Sequence, residues 1–275
     1  GGPCGAVQLS FFPSFLLLAA APSRPFHRFI LVVDWFEYWS ESYWREYLGA
    51  VGGRIGMLVQ RLCAAVPQRA FCFSEIHARR LRSPTILRGL YAGTARPTPQ
   101  PSAPLVLFAG RLIAEKRAAS LVPAIVQASL RVPGLRGVIL GDGPEHRAVV
   151  AAIERAGAPI EAPGFVEDVD SHLAEASCMA LPSIREGYGM IVIEAAARGV
   201  PSIVVRAPDN AATELVEDGV NGVICEPDRL AEAIVRVHED AEALRESTRR
   251  WYAEHAHELS LESSLERVLA SYARR

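Results

Sequence analysis

The sequence predicts an α/β fold in which a mostly parallel sheet carries helices on both faces. From residue 104 onward, short apolar runs alternate with stretches of helical periodicity, the pattern of consecutive βα units. Glycine and proline punctuate the pattern: the run 104–110 ends in Gly110, and the helical stretch 144–157 opens with Pro144 and closes with Gly157. The segment 93–104 is rich in Pro, Ser and Thr and predicts a linker between two domains.

The region before the linker shows fewer elements. Apolar residues predict strands over 28–36 and 69–75, and the stretch 43–66 predicts a helix with a glycine break. Two or three strands do not close an α/β domain of this type. We therefore expect the chain to be a fragment that begins inside its first domain.

The region after the linker predicts a complete domain. Its predicted strands cover 104–110, 135–143, 176–183, 199–205 and 221–227, and its clearest helices cover 118–130 and 144–157. Two helices follow at the C-terminal end, where Ser260 is a candidate N-cap for the last one. Because ligands of parallel sheets bind at the carboxyl ends of the strands, we look for chemistry in the loops that follow them.

Composition excludes several classes of protein. Half of the 275 residues are hydrophobic, 22% are charged and the formal net charge is -2, as in ordinary soluble globular proteins. This charge balance predicts no nucleic-acid partner. The five cysteines are odd in number and form no C-x-x-C pair, which supports neither a zinc site nor a disulfide framework and favours a reducing compartment.

The N-terminal segment 1–25 has an apolar centre and an alanine-rich end. No Lys or Arg precedes its apolar run, and Pro13 interrupts that run, so we do not predict a signal peptide. No stretch of about 20 consecutive apolar residues indicates a membrane-spanning helix.

Two basic residues follow the first strand of the second region. Arg111 comes directly after Gly110, and Lys116 lies five residues further on. Two cations at the carboxyl end of a strand suit a diphosphate. The alternative is a pair of exposed basic residues at a helix start, where the positive end of the helix dipole disfavours them.

Two other motifs carry weaker signals. In 140–146, LGDGPEH, His146 stands where a dinucleotide fingerprint needs its last glycine, so the glycines predict only a tight turn against a ligand. Asp168 and Asp170 have the D-x-D spacing of a divalent-metal pair, but they precede a helical stretch. We favour the interpretation of a helix N-cap.

The segment 183–199, SIREGYGMIVIEAAARG, gives the most specific signal. A glycine-rich turn follows a strand and opens a helix near Gly189, so backbone N–H groups at 187–190 are placed to bind an anion. Glu186 lies on the loop before the helix. Glu194 lies in an apolar helix, where a charge needs a partner, and its carboxylate could accept hydrogen bonds from two hydroxyls such as those of a ribose. The alternative for Glu186 is a first-turn glutamate that the helix dipole favours, and the alternative for Glu194 is a solvated helix residue.

These segments together resemble the retaining glycosyltransferases of family 4, which have the GT-B fold. The resemblance rests on GRLIAEK, LGDGPE, GFV at 164–166, LPSIREGYGMIVIEAAARGVP and NGVICEP, in this order. It covers 104–275 well and 7–90 less specifically. It implies a partial N-terminal acceptor-side domain with the linker over 1–98, a nucleotide-sugar-binding domain over 99–254, and a C-terminal helix over 255–275 that crosses back toward the first domain.

The resemblance also implies roles for single residues. Arg111, Lys116 and the backbone of Gly187 to Met190 would hold the donor diphosphate, Glu194 the ribose, Glu186 the transferred sugar, and Val166 the base. The implied catalytic residues are Glu186, Arg111 and Lys116. The implied donor-binding residues are Gly110, Arg111, Lys116, Gly141, Val166, Glu186, Gly187, Tyr188, Gly189, Met190 and Glu194.

The implied reaction transfers a sugar from a UDP- or GDP-sugar to an acceptor hydroxyl with retention, and without metal or cofactor. The acceptor is not specified, and the expected location is the cytoplasm, with peripheral contact to the inner face of the membrane left open. The chain departs from the family at Phe36, where close relatives of the segment around Trp35 and Glu37 read W-H-E. That departure supports a non-catalytic sugar-nucleotide binder as an alternative, and a sugar-nucleotide epimerase or phosphorylase of the same architecture is another.

Overall fold

Two parallel β-sheets organise the chain, and each belongs to a different unit. A computed structural model of the protein describes residues 5–12, 14–27, 29–99, 101 and 103–273. The first unit comprises residues 1–90 with 260–275, and the second comprises residues 91–259. The sequence placed the corresponding boundaries at 98/99 and 254/255.

The first unit contains four strands and five helices among its described residues. They are β1 (Ala6–Ser10), α1 (Phe15–Ala20), α2 (Arg24–His27), β2 (Ile30–Trp35), α3 (Glu41–Ala65), β3 (Arg69–Cys72), α4 (Glu75–Ala78), β4 (Thr85–Ile86) and α11 (Leu261–Ala273). The strands pair in the order β1-β2-β3-β4, all parallel. The predicted strands 28–36 and 69–75 correspond to β2 and β3, with residue 28 outside the described part of the chain. Strands β1 and β4 were not predicted.

The core of the first unit lies between this sheet and its helices. Strand β2 is buried along most of its length, and its Trp35 stacks on Phe11 with ring centroids 4.0 Å apart. Cys63 of α3 belongs to the same hydrophobic cluster. The predicted N-cap at Ser260 is confirmed, because its Oγ accepts the backbone N–H of Ser263 in the first turn of α11.

The predicted glycine break in the long helix is a sharp bend at Gly49. Its φ of 73° and ψ of -177° are not helical and divide α3 into two segments. The segment after the bend then passes close to the one before it: a Cβ on Gly56 would lie 2.3 Å from the Trp44 ring, and one on Gly53 would lie 2.7 Å from the backbone of Arg45. Glycine is required at both positions because only its backbone fits this approach.

The second unit contains the larger sheet. Its strands are β5 (Leu105–Ala109), β6 (Arg136–Leu140), β7 (Ile160–Gly164), β8 (Cys178–Leu181), β9 (Arg185–Glu186), β10 (Ser202–Val205), β11 (Asp209–Asn210) and β12 (Gly222–Cys225). Its helices are α5 (Leu121–Ser129), α6 (His146–Ala156), α7 (Val169–Glu175), α8 (Met190–Ala197), α9 (Leu230–Glu239) and α10 (Ala241–Leu259).

Six strands of this unit form one parallel sheet in the order β12-β10-β8-β5-β6-β7. The five predicted strands are confirmed as β5, β6, β8, β10 and β12, each shorter than its apolar run. Strand β7 was not predicted. It contains Pro163, and proline is tolerated there because β7 is the edge strand of the sheet. The α/β fold with parallel sheets is thus as predicted.

The order in which successive strands are added to the sheet switches sides at β5. Strands β6 and β7 are added on one side of β5, whereas β8, β10 and β12 follow on the other side. The carboxyl ends of β5 and β8 therefore flank the point where the strand order switches. Open α/β sheets bind their ligands in the crevice at such a point.

The described cysteines serve the interior of the protein. Cys63, Cys72, Cys178 and Cys225 are free thiols and buried, and burial raises the pKa of Cys178 to about 12. They therefore behave as small hydrophobic residues, whereas Cys4 lies outside the described residues. Among the helices of the described chain, none combines the length and the apolar character needed to cross a bilayer.

Candidate nucleotide-sugar site

A pocket of about 410 Å³ opens at the strand switch point of the second sheet. Three consecutive strands send the loops at their carboxyl ends into it, and the first turns of α7 and α8 close it. Its walls are formed by Ala109, Gly110, Arg111, Leu140, Gly141, Asp142, Phe165, Val166, Val169, Met190, Ile191 and Glu194.

Backbone hydrogen bonds hold the three strand-end loops against one another. The N–H of Gly110 donates to Leu140 O at 3.1 Å, that of Leu112 to Asp142 O at 2.8 Å, and that of Gly141 to Gly164 O at 2.8 Å. Gly141 has a φ of 129°, and a Cβ there would lie 1.8 Å from Gly110 O. The two loops can approach this closely because residue 141 has no side chain.

Arg111 and Glu194 face the same pocket with opposite charges. Arg111 is exposed at the end of β5, and Glu194 lies one turn inside α8. In the described part of the chain, neither side chain has a hydrogen-bond or ion-pair partner. Burial, reinforced by the nearby charge of Asp170, raises the pKa of Glu194 above its ordinary value. The pocket therefore offers one cation and one poorly solvated carboxylate to a ligand.

Lys116 and Glu186 pair with each other outside this pocket. Lys116 Nζ donates to Glu186 Oε1 in an ion pair whose side chains are 17% and 7% exposed. Ser183 Oγ donates to the same carboxylate oxygen at 2.7 Å. Glu186 thus sits in the short strand β9, which pairs with β11, and not on an open loop as the sequence indicated.

The residues after Glu186 lead directly into α8. Gly189 is the N-cap of this helix with a φ of 100°, and a Cβ there would lie 2.7 Å from Ala212 Cβ. Tyr188 is buried, so it contributes packing in addition to its backbone. The first turn of a helix presents amide N–H groups with no acceptor in the helix itself. Met190, at that first turn, lines the pocket.

The loop after β7 forms the apolar side of the pocket. Val166 lines the wall, and Phe165 beside it is 75% exposed. Sequence reasoning missed Phe165, Val169 and Ile191, which also line the pocket. The strand that presents Phe165 was not predicted, whereas Ile191 could have been inferred from its position next to Met190 in the first turn of α8.

Of the two aspartates of the D-x-D motif, Asp168 has the predicted role of a helix N-cap, whereas Asp170 belongs to an ion pair that was not predicted. Asp168 caps α7 by accepting the N–H of Ser171 at 3.0 Å. Asp170 forms an ion pair with the buried Arg198, whose Nε donates to its Oδ1 at 2.6 Å. This hydrogen bond holds the pKa of Asp170 below its ordinary value. The described residues contain no group of three or more metal-ligating side chains.

The departure noted at Phe36 lies in the first unit, directly after β2. Phe36 is exposed, and its ring lies 5.2 Å from that of Phe73. The neighbouring Glu37 accepts the indole N–H of Trp39 at 3.1 Å. His77 is buried, and its Nδ1 accepts the backbone N–H of Tyr38 at 3.1 Å.

A family model and several known proteins match this chain. The family model described as "Glycosyl transferases group 1" matches residues 103–240. A D-inositol 3-phosphate glycosyltransferase of Segniliparus rotundus is 31% identical over 183 residues, which are 62% of this chain and 40% of that protein. An alpha-D-kanosaminyltransferase of Streptomyces kanamyceticus is 31% identical over 150 residues, 52% of this chain and 38% of that protein. The chain thus spans about two fifths of the length of these relatives.

Solved structures match the fold of nearly the whole chain. The Anabaena protein HepE in complex with UDP superposes with a TM-score of 0.76 at 19% identity, covering 94% of this chain and 76% of that one. The pneumococcal O-GlcNAc transferase GtfA, in complex with UDP and GlcNAc, superposes with a TM-score of 0.73 at 18% identity, covering 95% and 54%. With a family match across half of the sequence and the architecture of these enzymes, the chain belongs to the group 1 glycosyltransferases and has the GT-B fold.

Proposed function

We propose that the protein transfers a sugar from a nucleoside diphosphate sugar to an acceptor hydroxyl, with retention of configuration at the anomeric carbon. The observation that carries this proposal is the placement of Arg111 and Glu194, unpartnered among the described residues, in one pocket at the amino end of α8. HepE and GtfA were both crystallised with UDP, which makes a UDP-sugar the first donor to test, with GDP-sugars as the alternative.

The proposed roles follow from charge and position. Arg111 and the first amides of α8 bind the diphosphate, and Glu194 accepts hydrogen bonds from hydroxyls of the ribose. Glu186 binds hydroxyls of the transferred sugar, and Lys116 at its side reaches the diphosphate. The existing contact between Lys116 and Glu186 supports this pairing, because the sugar and the phosphate that it leaves are covalent neighbours in the donor.

The proposed step breaks the bond between the anomeric carbon and the diphosphate oxygen and forms a bond from that carbon to the acceptor oxygen. The acceptor proton passes to the departing phosphate on the same face of the sugar. Negative charge grows on the diphosphate during this step, and Arg111, Lys116 and the α8 amides would stabilise it. These groups supply the positive charge that the diphosphate needs, without a metal ion or cofactor. We place the protein in a reducing compartment such as the cytoplasm, which the buried free thiols support.

The test is substitution of Lys116 by alanine. One charged contact to a developing diphosphate charge contributes about 2–4 kcal/mol, or roughly 30- to 1,000-fold in rate. The assay measures UDP or GDP release from a panel of nucleotide sugars. Arg131→Ala, which removes an exposed ion pair with Glu239, is the control for loss of a surface charge. A fall of less than about threefold for Lys116→Ala would exclude the role assigned to Lys116.

Phe36 favours a second candidate, a sugar-nucleotide binder without transfer activity. A phenyl ring cannot donate the hydrogen bond that the histidine of the W-H-E pattern would supply in the family that this segment resembles. Calorimetry with UDP and GDP, combined with the release assay, separates the two candidates. Nucleotide binding without release from any donor would favour the binder, and release would favour the transferase.

A further inference from the structure

An apolar stripe on the second segment of α3 faces solvent. It consists of Val51, Ile55, Leu58 and Leu62, which recur at helical spacing on one side of the helix, and the exposed Tyr47 and Leu48 stand just before the bend, at the end of the first segment. Their exposed fractions run from 49% at Leu48 to 72% at Val51. Single exposed apolar residues are ordinary in soluble proteins, whereas a continuous row of them marks an interaction surface.

The opposite side of the same helix segment is already covered. Gly53 and Gly56 pack against Trp44 and its neighbour. Gln60 is buried and forms two hydrogen bonds with the backbone of Trp39, at 3.0 and 2.9 Å. The orientation of the segment is therefore fixed by buried contacts, and the apolar stripe is its outward face.

The charges on the second segment of α3 have one sign, whereas the first segment, before the bend, carries Glu41, Arg45 and Glu46. From residue 47 to residue 74 the chain contains Arg54, Arg61 and Arg69 and no Asp or Glu. Arg54 and Arg61 are exposed, and helical geometry places both along the same border of the stripe. An apolar row with a basic border matches an anionic lipid surface, in which the alkyl side chains enter the acyl boundary while the guanidinium groups meet phosphates.

Aromatic side chains stand at the beginning of the stripe. Tyr47 lies 5.5 Å from Trp39, measured between ring centroids, and Tyr43 lies 4.7 Å from it. Phe12, which is exposed, stacks on the same tryptophan at 5.8 Å. Tryptophan and tyrosine favour the level of the lipid headgroups because their rings combine an apolar body with a polar group.

We propose that this face of α3, defined by Tyr47, Leu48, Val51, Ile55, Leu58 and Leu62 with Arg54 and Arg61, docks the protein on a membrane surface that contains anionic phospholipid. The helix lies parallel to the surface and does not span the bilayer. Docking needs neither donor nor turnover, so this inference stands or falls independently of the proposed transferase activity.

The experiment is cosedimentation with vesicles of phosphatidylcholine alone and of phosphatidylcholine mixed with phosphatidylglycerol. We expect the protein to sediment with the mixed vesicles. Leu58→Glu should weaken that binding about tenfold or more, because it removes a leucine that the bilayer would bury and adds a negative charge that the anionic lipid repels. Leu130→Glu, an identical change at an exposed leucine of the second unit, is the matched control and should bind as the unaltered protein does.

A second pair of measurements separates the apolar and the electrostatic contributions. Arg54→Gln combined with Arg61→Gln should abolish the preference for anionic vesicles, and high salt should reproduce that effect. Val51→Glu repeats the test of the stripe at its most exposed residue, with far-UV circular dichroism confirming the fold of each variant.

Three results would overturn the proposal. The first is equal binding by Leu58→Glu and Leu130→Glu, and the second is no binding of the unaltered protein to either vesicle. The third is a dimer in size-exclusion chromatography that Leu58→Glu converts to a monomer, because the stripe would then be covered by a second copy of the chain.

Discussion

Substitution of Gly141 by alanine tests whether the close approach of two strand-end loops shapes the pocket. The new Cβ would lie 1.8 Å from Gly110 O and 2.9 Å from Gly110 C, at a φ of 129° that side chains rarely adopt. The positive φ costs about 1–3 kcal/mol, and the forced displacement of packed backbone costs about 1–3 kcal/mol more. We therefore expect a loss of about 2–6 kcal/mol in the free energy of unfolding.

Gly157→Ala supplies the matched control for this prediction. Gly157 also has a positive φ, 58°, but a Cβ there would meet nothing within 4 Å. Only the conformational cost of about 1–2 kcal/mol applies. Thermal unfolding of both variants should differ by roughly 2–4 °C for each kcal/mol of difference, and nucleotide binding should weaken only for Gly141→Ala. Equal melting temperatures for the two variants would refute the argument that residue 141 must lack a side chain because Gly110 lies against it.

Substitutions at Asp168, Asp170 and Glu194 test capping and electrostatic contacts by thermal unfolding. Asp168→Ala should cost about 1 kcal/mol through loss of the α7 cap, and Asp168→Asn should restore most of it; equal loss in both variants contradicts the cap. Asp170→Ala leaves the Arg198 guanidinium buried and should cost about 1–3 kcal/mol, allowing for the exposure of the aspartate; Arg96→Ala, which removes an exposed partner of Asp170 at 3.5 Å, should cost less. Because the folded-state pKa of Glu194 is raised, its contribution to stability falls as pH rises above the ordinary glutamate value. Glu194→Gln should therefore raise the melting temperature at neutral pH, and this gain should shrink at acid pH. The same variant should bind nucleotide more weakly. A lower melting temperature at neutral pH would contradict the argument that burial of the Glu194 carboxylate lowers stability.

The strands of the second sheet were predictable because their signal is local. The run 105–109 is continuously apolar and 203–205 is as well, as buried parallel strands require, and Gly110 marks the end of the first run. Strand β7 escaped prediction because an edge strand has a different composition: it includes Glu161 and Pro163, which a central strand would exclude. Strand β1, with only intermediate burial along much of its length, escaped for a similar reason.

The positions of the charged residues were only partly predictable. That Glu194 lies in a buried apolar helix followed from its neighbours in sequence, and the structure confirms that setting. Its lack of a partner in the described chain, and the pairing of Lys116 with Glu186 across 70 positions, did not follow, because ion pairs between distant segments depend on the crossover connections of the sheet. Likewise, the spacing of Asp168 and Asp170 does not reveal that Arg198 neutralises the second of them.

The two glutamates of the glycine-rich segment have been treated differently by the fold, and the difference points to a ligand. Glu186 has both a cation and a hydroxyl donor, so its burial is compensated within the protein. Glu194 shares a pocket with Arg111 but forms no ion pair with it in the described structure. Folding alone would favour a contact between these opposite charges, since an uncompensated half-buried carboxylate lowers stability. A fold that keeps them apart on the walls of one pocket is suited to a molecule that carries phosphate at one end and hydroxyls at the other, which would satisfy both charges when it binds.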